Sequence, residues 1–113
     1  HGMPYAASYA NEVVTKAVCI FRMAEGNTRD AMIAAVNMGR DTDCIAAVAG
    51  GISGALTGAA SLPQEYIRQV DYATSLNVYT NTRRTLRENS DGLYKAWQNR
   101  IDRFQEYVKL MDN

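Results

Sequence analysis

Apolar residues recur at helical spacing along most of the chain, and glycine, asparagine or proline interrupts the pattern. Residues 9–24 carry an apolar stripe with steps of three and four, and Gly26 and Asn27 mark the end of this predicted helix. Thr28 is predicted to be the N-cap of a second helix over residues 29–38. The residues expected to face inwards are Ala10, Val13, Val14, Ala17, Val18 and Phe21 in the first helix, and Ala31, Met32, Ala35 and Val36 in the second.

The central part of the chain predicts a third helix and a short fourth one. Gly39 stops the second helix, and a third is expected to start at about Asp43 or Cys44. Pro63 bounds the third helix, because proline disfavours helical geometry in the residue before it. Residues 64–72 then predict a short helix.

Residues 74–81 lose the helical period and contain β-branched and turn-forming residues, so an extended connection is expected there. From about residue 82 one apolar face runs to the chain end and predicts a long amphipathic helix. Gly92 lies inside it at a cost near 1 kcal/mol, which allows a kink or break. The face comprises Leu86, Leu93, Trp97, Ile101, Phe104, Val108 and Met111.

No alternation with a period of two appears at strand length, so the fold class is all-α, a compact multi-helix bundle. Residues 1–73 are expected to form one portion of the domain, with the acidic loop at 39–43. Residues 74–113 are expected to add the connection and the last helix to the same domain. The start at His1 resembles a loop, which suggests a piece of a longer protein.

Composition argues against nucleic acids and membranes as binding partners. Acidic and basic residues balance at 12 each, so no general affinity for polyanions is expected. A cluster of arginines at residues 83–87 precedes Glu88 and Asp91 and is interpreted as a solvated helix face, so nucleic-acid binding is not expected. The uncharged stretch 44–62 consists mostly of small residues, which favours a buried helix over a membrane span.

The cysteines and the single histidine exclude several kinds of site. Cys19 and Cys44 lie far apart without zinc-binding spacing, which argues against a disulfide scaffold and favours a reducing cytoplasm. Cys19 falls on the first apolar stripe and is expected to be a core residue. His1 is the only histidine, so a histidine-activated nucleophile is not expected.

The acidic loop is the main candidate for chemistry. Asp41 and Asp43 flank the hydroxyl of Thr42, and two carboxylates so close repel each other unless a positive charge lies nearby. Mg²⁺ and Mn²⁺ favour oxygen ligands of this kind. The structural alternative is that Asp43 caps the third helix while Asp41 is a solvated charge that favours the helix dipole.

Glycines on the third helix bear on the support of this loop. Gly50, Gly54 and Gly58 are spaced four apart on one helical face, with Gly51 beside them. Because glycine is costly in a helix, this face is expected to allow close approach of another backbone. Tight packing there would hold the acidic loop on a rigid support.

The segment at residues 34–55 resembles a known signature. It reads Ala-Ala-Val-Asn-Met-Gly-Arg-Asp-Thr-Asp-Cys-Ile-Ala-Ala-Val-Ala-Gly-Gly-Ile-Ser-Gly-Ala. Its order of glycines and acids is similar to the C-terminal signature of the ADP-ribosylglycohydrolase family, and the resemblance extends over about residues 5–70. It implies the C-terminal part of an all-α hydrolase that holds two divalent cations, usually Mg²⁺, and cleaves the glycosidic bond of ADP-ribosyl adducts. By this likeness Asp41 and Asp43 are metal ligands.

Two residues depart from the family pattern. Position 44 is Thr or Ser in the pattern, and the thiol of Cys44 is a poor ligand for a hard cation. Water or the Thr42 hydroxyl could replace it, or Cys44 could favour a softer metal such as Mn²⁺. Arg40 stands where the pattern commonly has glycine, next to Gly39 at the expected substrate side, and could pair with the acids or with a phosphate.

The family's other metal ligands come from an N-terminal acidic motif that this chain does not contain. The chain is therefore expected to hold half of the site and to be inactive in isolation. The alternative interpretation is a non-catalytic structural or ligand-binding descendant of the same fold, which Cys44 and Arg40 favour.

Overall fold

The computed structural model describes residue 6, residues 8–77, residue 79 and residues 83–111. Within these residues the chain is all-α: five α-helices and one short 3₁₀ turn are present, and no strand. The helices are α1 (Ala10–Met23), α2 (Thr28–Asn37), α3 (Thr42–Thr57), α4 (Gln64–Leu76) and α5 (Leu86–Met111). The 3₁₀ turn is Ala59–Ser61. The chain divides into two compact units, one ending at Pro63 and one beginning at Gln64. The predicted assignment of residues 1–73 and 74–113 to one domain stays a prediction.

The first unit is built on three helices whose buried faces are made of small and medium-sized residues. The predicted stripe of α1 is wider than its buried face, because Val14 and Val18 are about half exposed. Val36 of α2, which was expected to face inwards, is also exposed. The small residues let the helices approach closely. The core consists of Val13, Ala17 and Ile20 from α1, Ala31 and Ala35 from α2, and Ile45 and Ala49 from α3.

The corner between α1 and α2 corrects one predicted cap. Glu25 and Gly26 have φ angles of +50° and +78°, which turn the chain after α1. The side chain of Asn27, not Thr28, accepts a hydrogen bond from the backbone N–H of Asp30 at 3.1 Å. Thr28 is instead the first residue of α2 and is 2% exposed. Asparagine and threonine are both favoured N-caps, so the sequence did not distinguish them, and the predicted N-cap is one residue too late.

The hydroxyl of Thr28 is used for packing rather than for capping. It forms hydrogen bonds with the hydroxyls of Thr57 at 2.7 Å and Ser61 at 3.1 Å. The Ser61 hydroxyl is bonded to Thr57 at 2.8 Å and donates to the carbonyl of Gly58 at 2.7 Å. Three hydroxyls therefore join the start of α2 to the end of α3 and to the 3₁₀ turn.

The third helix ends earlier than Pro63. Gly58 has a φ of +75°, and its N–H donates to the Gly54 carbonyl at 2.8 Å, as expected where a glycine closes a helix. The 3₁₀ turn fills the interval before Pro63.

The glycine face of α3 is only partly as predicted. A Cβ atom at Gly50 would lie 3.0 Å from Cγ of Met32, so α2 approaches closely there. A Cβ at Gly51, Gly54 or Gly58 would meet nothing within 4 Å among the described residues. Within the described residues, close approach is therefore local to Gly50, and the neighbour there is the Met32 side chain and not a backbone.

The second unit contains α4 and α5. Helix α4 continues to Leu76, so the extended connection predicted from residue 74 is wrong at its start; residues 78 and 80–81 lie outside the described residues. Thr74 donates to the carbonyl of Val70, and Ser75 to that of Tyr72. Both hydroxyls therefore find a partner within their own helix.

Helix α5 begins at a capping box. The backbone N–H of Glu88 donates to the Thr85 hydroxyl at 3.2 Å, and the N–H of Thr85 donates to the Glu88 carboxylate at 2.8 Å. The helix runs without a break through Gly92. Its predicted apolar face is exposed along its whole length among the described residues. In the described part of the chain, no helix has the length and apolar character needed to cross a lipid bilayer.

Candidate metal centre

The acidic loop lies where α2 turns into α3. Gly39 and Arg40 have consecutive positive φ angles of +80° and +68°, which reverse the chain within a few residues. Glycine adopts this conformation without strain, whereas at Arg40 it costs roughly 1–2 kcal/mol. The Thr42 N–H donates to the Arg40 carbonyl at 3.0 Å and closes the turn. This geometry places Asp41 immediately before α3 and Asp43 in its first turn.

Three side chains converge at this point. One potential ligand atom each from Asp41, Asp43 and Cys44 lies within 4.8 Å of the other two. Asp41 is half-buried, whereas Asp43 and Cys44 are exposed. The first unit therefore presents two carboxylates and one thiol together at the start of a helix, where the dipole favours negative charge.

The predicted cap is displaced by two residues. Asp41 occupies the N-cap position of α3, but its side chain makes no capping hydrogen bond. Asp43, the residue expected to cap, lies inside the helix. One carboxylate oxygen of Asp41, Oδ2, is buried without a hydrogen-bond partner among the described residues. A buried carboxylate oxygen is costly when unpaired, and a hydrogen-bond donor or a cation would offset that cost.

Hydrogen bonds within the cluster shift two pKa values. The pKa of Asp43 is lowered by a hydrogen bond with the Asp41 side chain, and further by the backbone N–H groups of Cys44 and Asp43. The pKa of the Cys44 thiol is raised, first by its hydrogen bond to Asp41, then by burial and by the charges of the two aspartates. The lowered pKa keeps Asp43 anionic at neutral pH, and the raised pKa keeps the Cys44 thiol protonated.

Arg40 is directed towards α1. Its Nε donates to Oε1 of Glu12 at 2.6 Å, and its Nη2 donates to the carbonyl of Ala6 at 3.0 Å. Lys16, one turn along α1, contacts the same Glu12 oxygen at 2.6 Å. Lys16, followed by Arg40, lowers the pKa of the Glu12 carboxyl. Arg40 was expected to pair with the acids of its own loop or with a phosphate. The partner seen in the structure, Glu12, belongs to α1.

Glu12 is the residue that sequence reasoning missed. Its spacing of four residues to Lys16 is an ordinary helical ion pair, but its contact with Arg40 spans 28 positions and has no local signature. The remaining predicted residues lie as follows: Gly39 is exposed with open space where a Cβ would be, and Thr42 is the first, half-buried residue of α3.

Cys19 is not part of the core. It is exposed on α1, because the buried face of that helix runs through Val13, Ala17 and Ile20 instead. The wide apolar stripe in the sequence did not distinguish its centre from its edge.

Comparisons with known proteins give one match. The model of the family described as ADP-ribosylglycohydrolase matches residues 2–103, which is most of the chain. No curated protein and no solved structure matches the chain significantly.

Proposed function

This chain belongs to the ADP-ribosylglycohydrolase family, and we propose that it contributes half of a dinuclear metal site to a hydrolase. The proposed reaction is cleavage of the glycosidic bond of ADP-ribosyl or related ribosyl adducts. The observation that carries the proposal is Oδ2 of Asp41, which is buried beside the carboxylate of Asp43 and has no hydrogen-bond partner in the part of the chain that the structure describes. Two carboxylates so arranged need a compensating positive charge.

The proposed metal is Mg²⁺, with Mn²⁺ as the second candidate. Asp41 and Asp43 would hold it, since hard divalent cations favour carboxylate oxygens. Cys44 is a doubtful ligand, because its thiol is neutral and donates its hydrogen bond to Asp41. Thr42 is also doubtful, although its hydroxyl is of the right chemical class and it stands between the two acids.

Bound divalent cations would supply polarisation of the ribose end and an activated water at neutral pH. This chain's own contribution is to hold the two carboxylates at the rigid start of α3. Gly39 and Arg40 precede them, and the open space at Gly39 leaves room for the substrate side. The remaining ligands and the general base are proposed to come from an N-terminal part of the same protein.

A second candidate is a non-catalytic ligand-binding protein of the same fold. The observation that favours it is Cys44, whose thiol occupies a hydrogen-bonding site on Asp41 that a metal would otherwise use. The two proposals differ in one respect: only the hydrolase requires metal-dependent turnover. The exposed free thiols of Cys19 and Cys44 suit the proposed cytoplasmic location, where thiols stay reduced.

The test is hydrolysis of ADP-ribosyl substrates by the full-length protein and by this chain alone, each with and without Mg²⁺. Turnover by the full-length protein that requires both Mg²⁺ and Asp43 supports the hydrolase. Asp30→Asn is the matched control, because Asp30 lies on α2 in an exposed pair with Arg29. No turnover by the full-length protein with or without Mg²⁺, with the fold intact, would favour the binding protein, and turnover without Mg²⁺ would contradict the proposed metal dependence. Turnover by this chain alone would overturn the half-site.

A further inference from the structure

A cluster of charges joins α1 to the acidic loop. Glu12 lies in the first turn of α1, and its side chain is 10% exposed. Both Lys16 and Arg40 contact its Oε1, each at 2.6 Å. The Arg40 side chain is itself only 20% exposed. A carboxylate this enclosed is costly unless cations compensate it, so the cluster is a specific interaction rather than a loose surface pair.

The position of Arg40 poses a problem for a metal site. Arg40 is next to Asp41 in the chain and three residues from Asp43, and guanidinium groups form strong bonds with carboxylates. An arginine bound to these acids would compete with a divalent cation for the same oxygens. The backbone of Arg40 has a φ of +68°, a conformation that glycine adopts more easily than arginine does.

The directions of the guanidinium donors resolve this problem. Nε donates to Glu12, and Nη2 donates to the backbone carbonyl of Ala6, so two donors of Arg40 are directed to the α1 side of the turn. Oδ2 of Asp41, meanwhile, accepts no hydrogen bond from Arg40 or from any other described residue.

We propose that Glu12 sequesters Arg40, holding its guanidinium away from Asp41 and Asp43 so that the two aspartates stay available to a divalent cation. Glu12 is thus a positioning residue that acts through Arg40 and does not itself touch the metal. The inference rests on the proposed metal site.

The proposal predicts an unusual relation between two substitutions. Glu12→Gln removes the charge that holds Arg40, and the released guanidinium then competes with Mg²⁺ for the aspartates. Arg40→Gly removes the competitor and suits the backbone conformation. The second substitution should therefore suppress the defect of the first, whereas two residues that merely brace the loop would each weaken binding.

The test is calorimetric titration of Mg²⁺ into the full-length protein and its variants. Glu12→Gln should weaken Mg²⁺ binding about tenfold, the lower end of the range for residues that act through a ligand's neighbour. Arg40→Gly should bind as tightly as the wild type or more tightly. The Mg²⁺ affinity of the double variant should equal that of Arg40→Gly within about twofold. The effects of the two substitutions are then not additive, as expected of residues that interact.

Lys16→Gln is the matched control. It removes the other cation from the same Glu12 oxygen while leaving the Arg40 contact in place, and its Mg²⁺ affinity should stay within about twofold of the wild type. Circular dichroism and thermal melts of each variant without metal establish that the fold is intact.

Three results would overturn the inference: unchanged affinity in Glu12→Gln, a double variant as weak as Glu12→Gln, or weakened binding in Arg40→Gly. If Glu12→Gln does not fold, the Arg40→Gly result alone decides, because weakened binding there means that Arg40 assists the site. No Mg²⁺ binding by the wild type would overturn the proposed metal site together with the inference. Wild-type binding with an unaffected Glu12→Gln would overturn the inference only.

Discussion

Carboxylate oxygens of Asp41 and Asp43 lie within 4.8 Å of each other at the start of α3, and the Cys44 sulfur lies within the same distance of both. The same cluster leaves Oδ2 of Asp41 buried and without a partner among the described residues. The loop therefore brings an exposed carboxylate together with a half-buried one, of which one oxygen lacks a partner in the described part of the chain. This combination is expected of ligands that a divalent cation completes.

Replacement of Cys44 by serine should strengthen Mg²⁺ binding. The neutral thiol of Cys44 bonds to Asp41 and is a poor ligand for a hard ion, whereas a hydroxyl oxygen suits it better. Titration of Mg²⁺ into wild type and Cys44→Ser measures the difference, with Cys19→Ser as the control because Cys19 is an exposed thiol on α1. Equal affinities of wild type and Cys44→Ser would mean that position 44 takes no part in metal binding.

Two glycines of α3 should respond oppositely to larger side chains. Gly50→Leu should destabilise the protein by about 1–3 kcal/mol, because a Cβ there already lies 3.0 Å from Met32. Gly54→Ala should stabilise it by up to about 1 kcal/mol, since the space is open and alanine favours the helix. Urea denaturation of this chain gives both free energies of unfolding. A large loss in Gly54→Ala would show that another segment packs against that face.

The hydrogen bonds of the buried Thr28 hydroxyl should stabilise the folded state. Thr28→Val keeps the shape but removes the partner of the Thr57 and Ser61 hydroxyls, which should cost about 1–3 kcal/mol. Thr15→Val, at an exposed position on α1, provides the matched control with little expected effect. The measurement is again urea denaturation. Similar free energies for both variants would mean that the three-hydroxyl network is energetically neutral.

The Glu12 cluster should make stability depend on acid pH. Lys16 and Arg40 lower the pKa of Glu12 below its ordinary value of 4.5. A lowered folded-state pKa contributes stability that is fully present above pH 4.5 and is lost as the pH falls through the folded-state value. Thermal melts between neutral and acid pH should show a smaller decrease for Glu12→Gln than for wild type. Parallel curves would mean that the cluster contributes no pH-dependent stability.

The sequence predicted those features that depend on local spacing. The apolar periodicity gave the helices, and the order of glycines and acids gave the family and the candidate ligands Asp41 and Asp43. Errors arose where two local signals competed. Asn27 and Thr28 are both good caps, and only the buried packing of Thr28 against Thr57 and Ser61 decides between them.

Long-range contacts could not be predicted from one sequence. Glu12 meets Arg40 across 28 positions, and the open space beside Gly54 depends on which helix packs where. Helix α4 extends past the predicted break to Leu76, although Thr74 and Ser75 are weak helix formers, so propensity alone did not locate its end.

Direct measurement of Mg²⁺ binding tests the central claim most directly. In calorimetric titrations of the full-length protein, the wild type should bind Mg²⁺, and Asp43→Ala should lose most of that affinity because an anionic ligand is removed. Asp30→Asn, which removes an exposed carboxylate from α2, should bind as the wild type does. Equal affinity of wild type and Asp43→Ala, with both folded, would contradict the assignment of the acidic loop as a metal site.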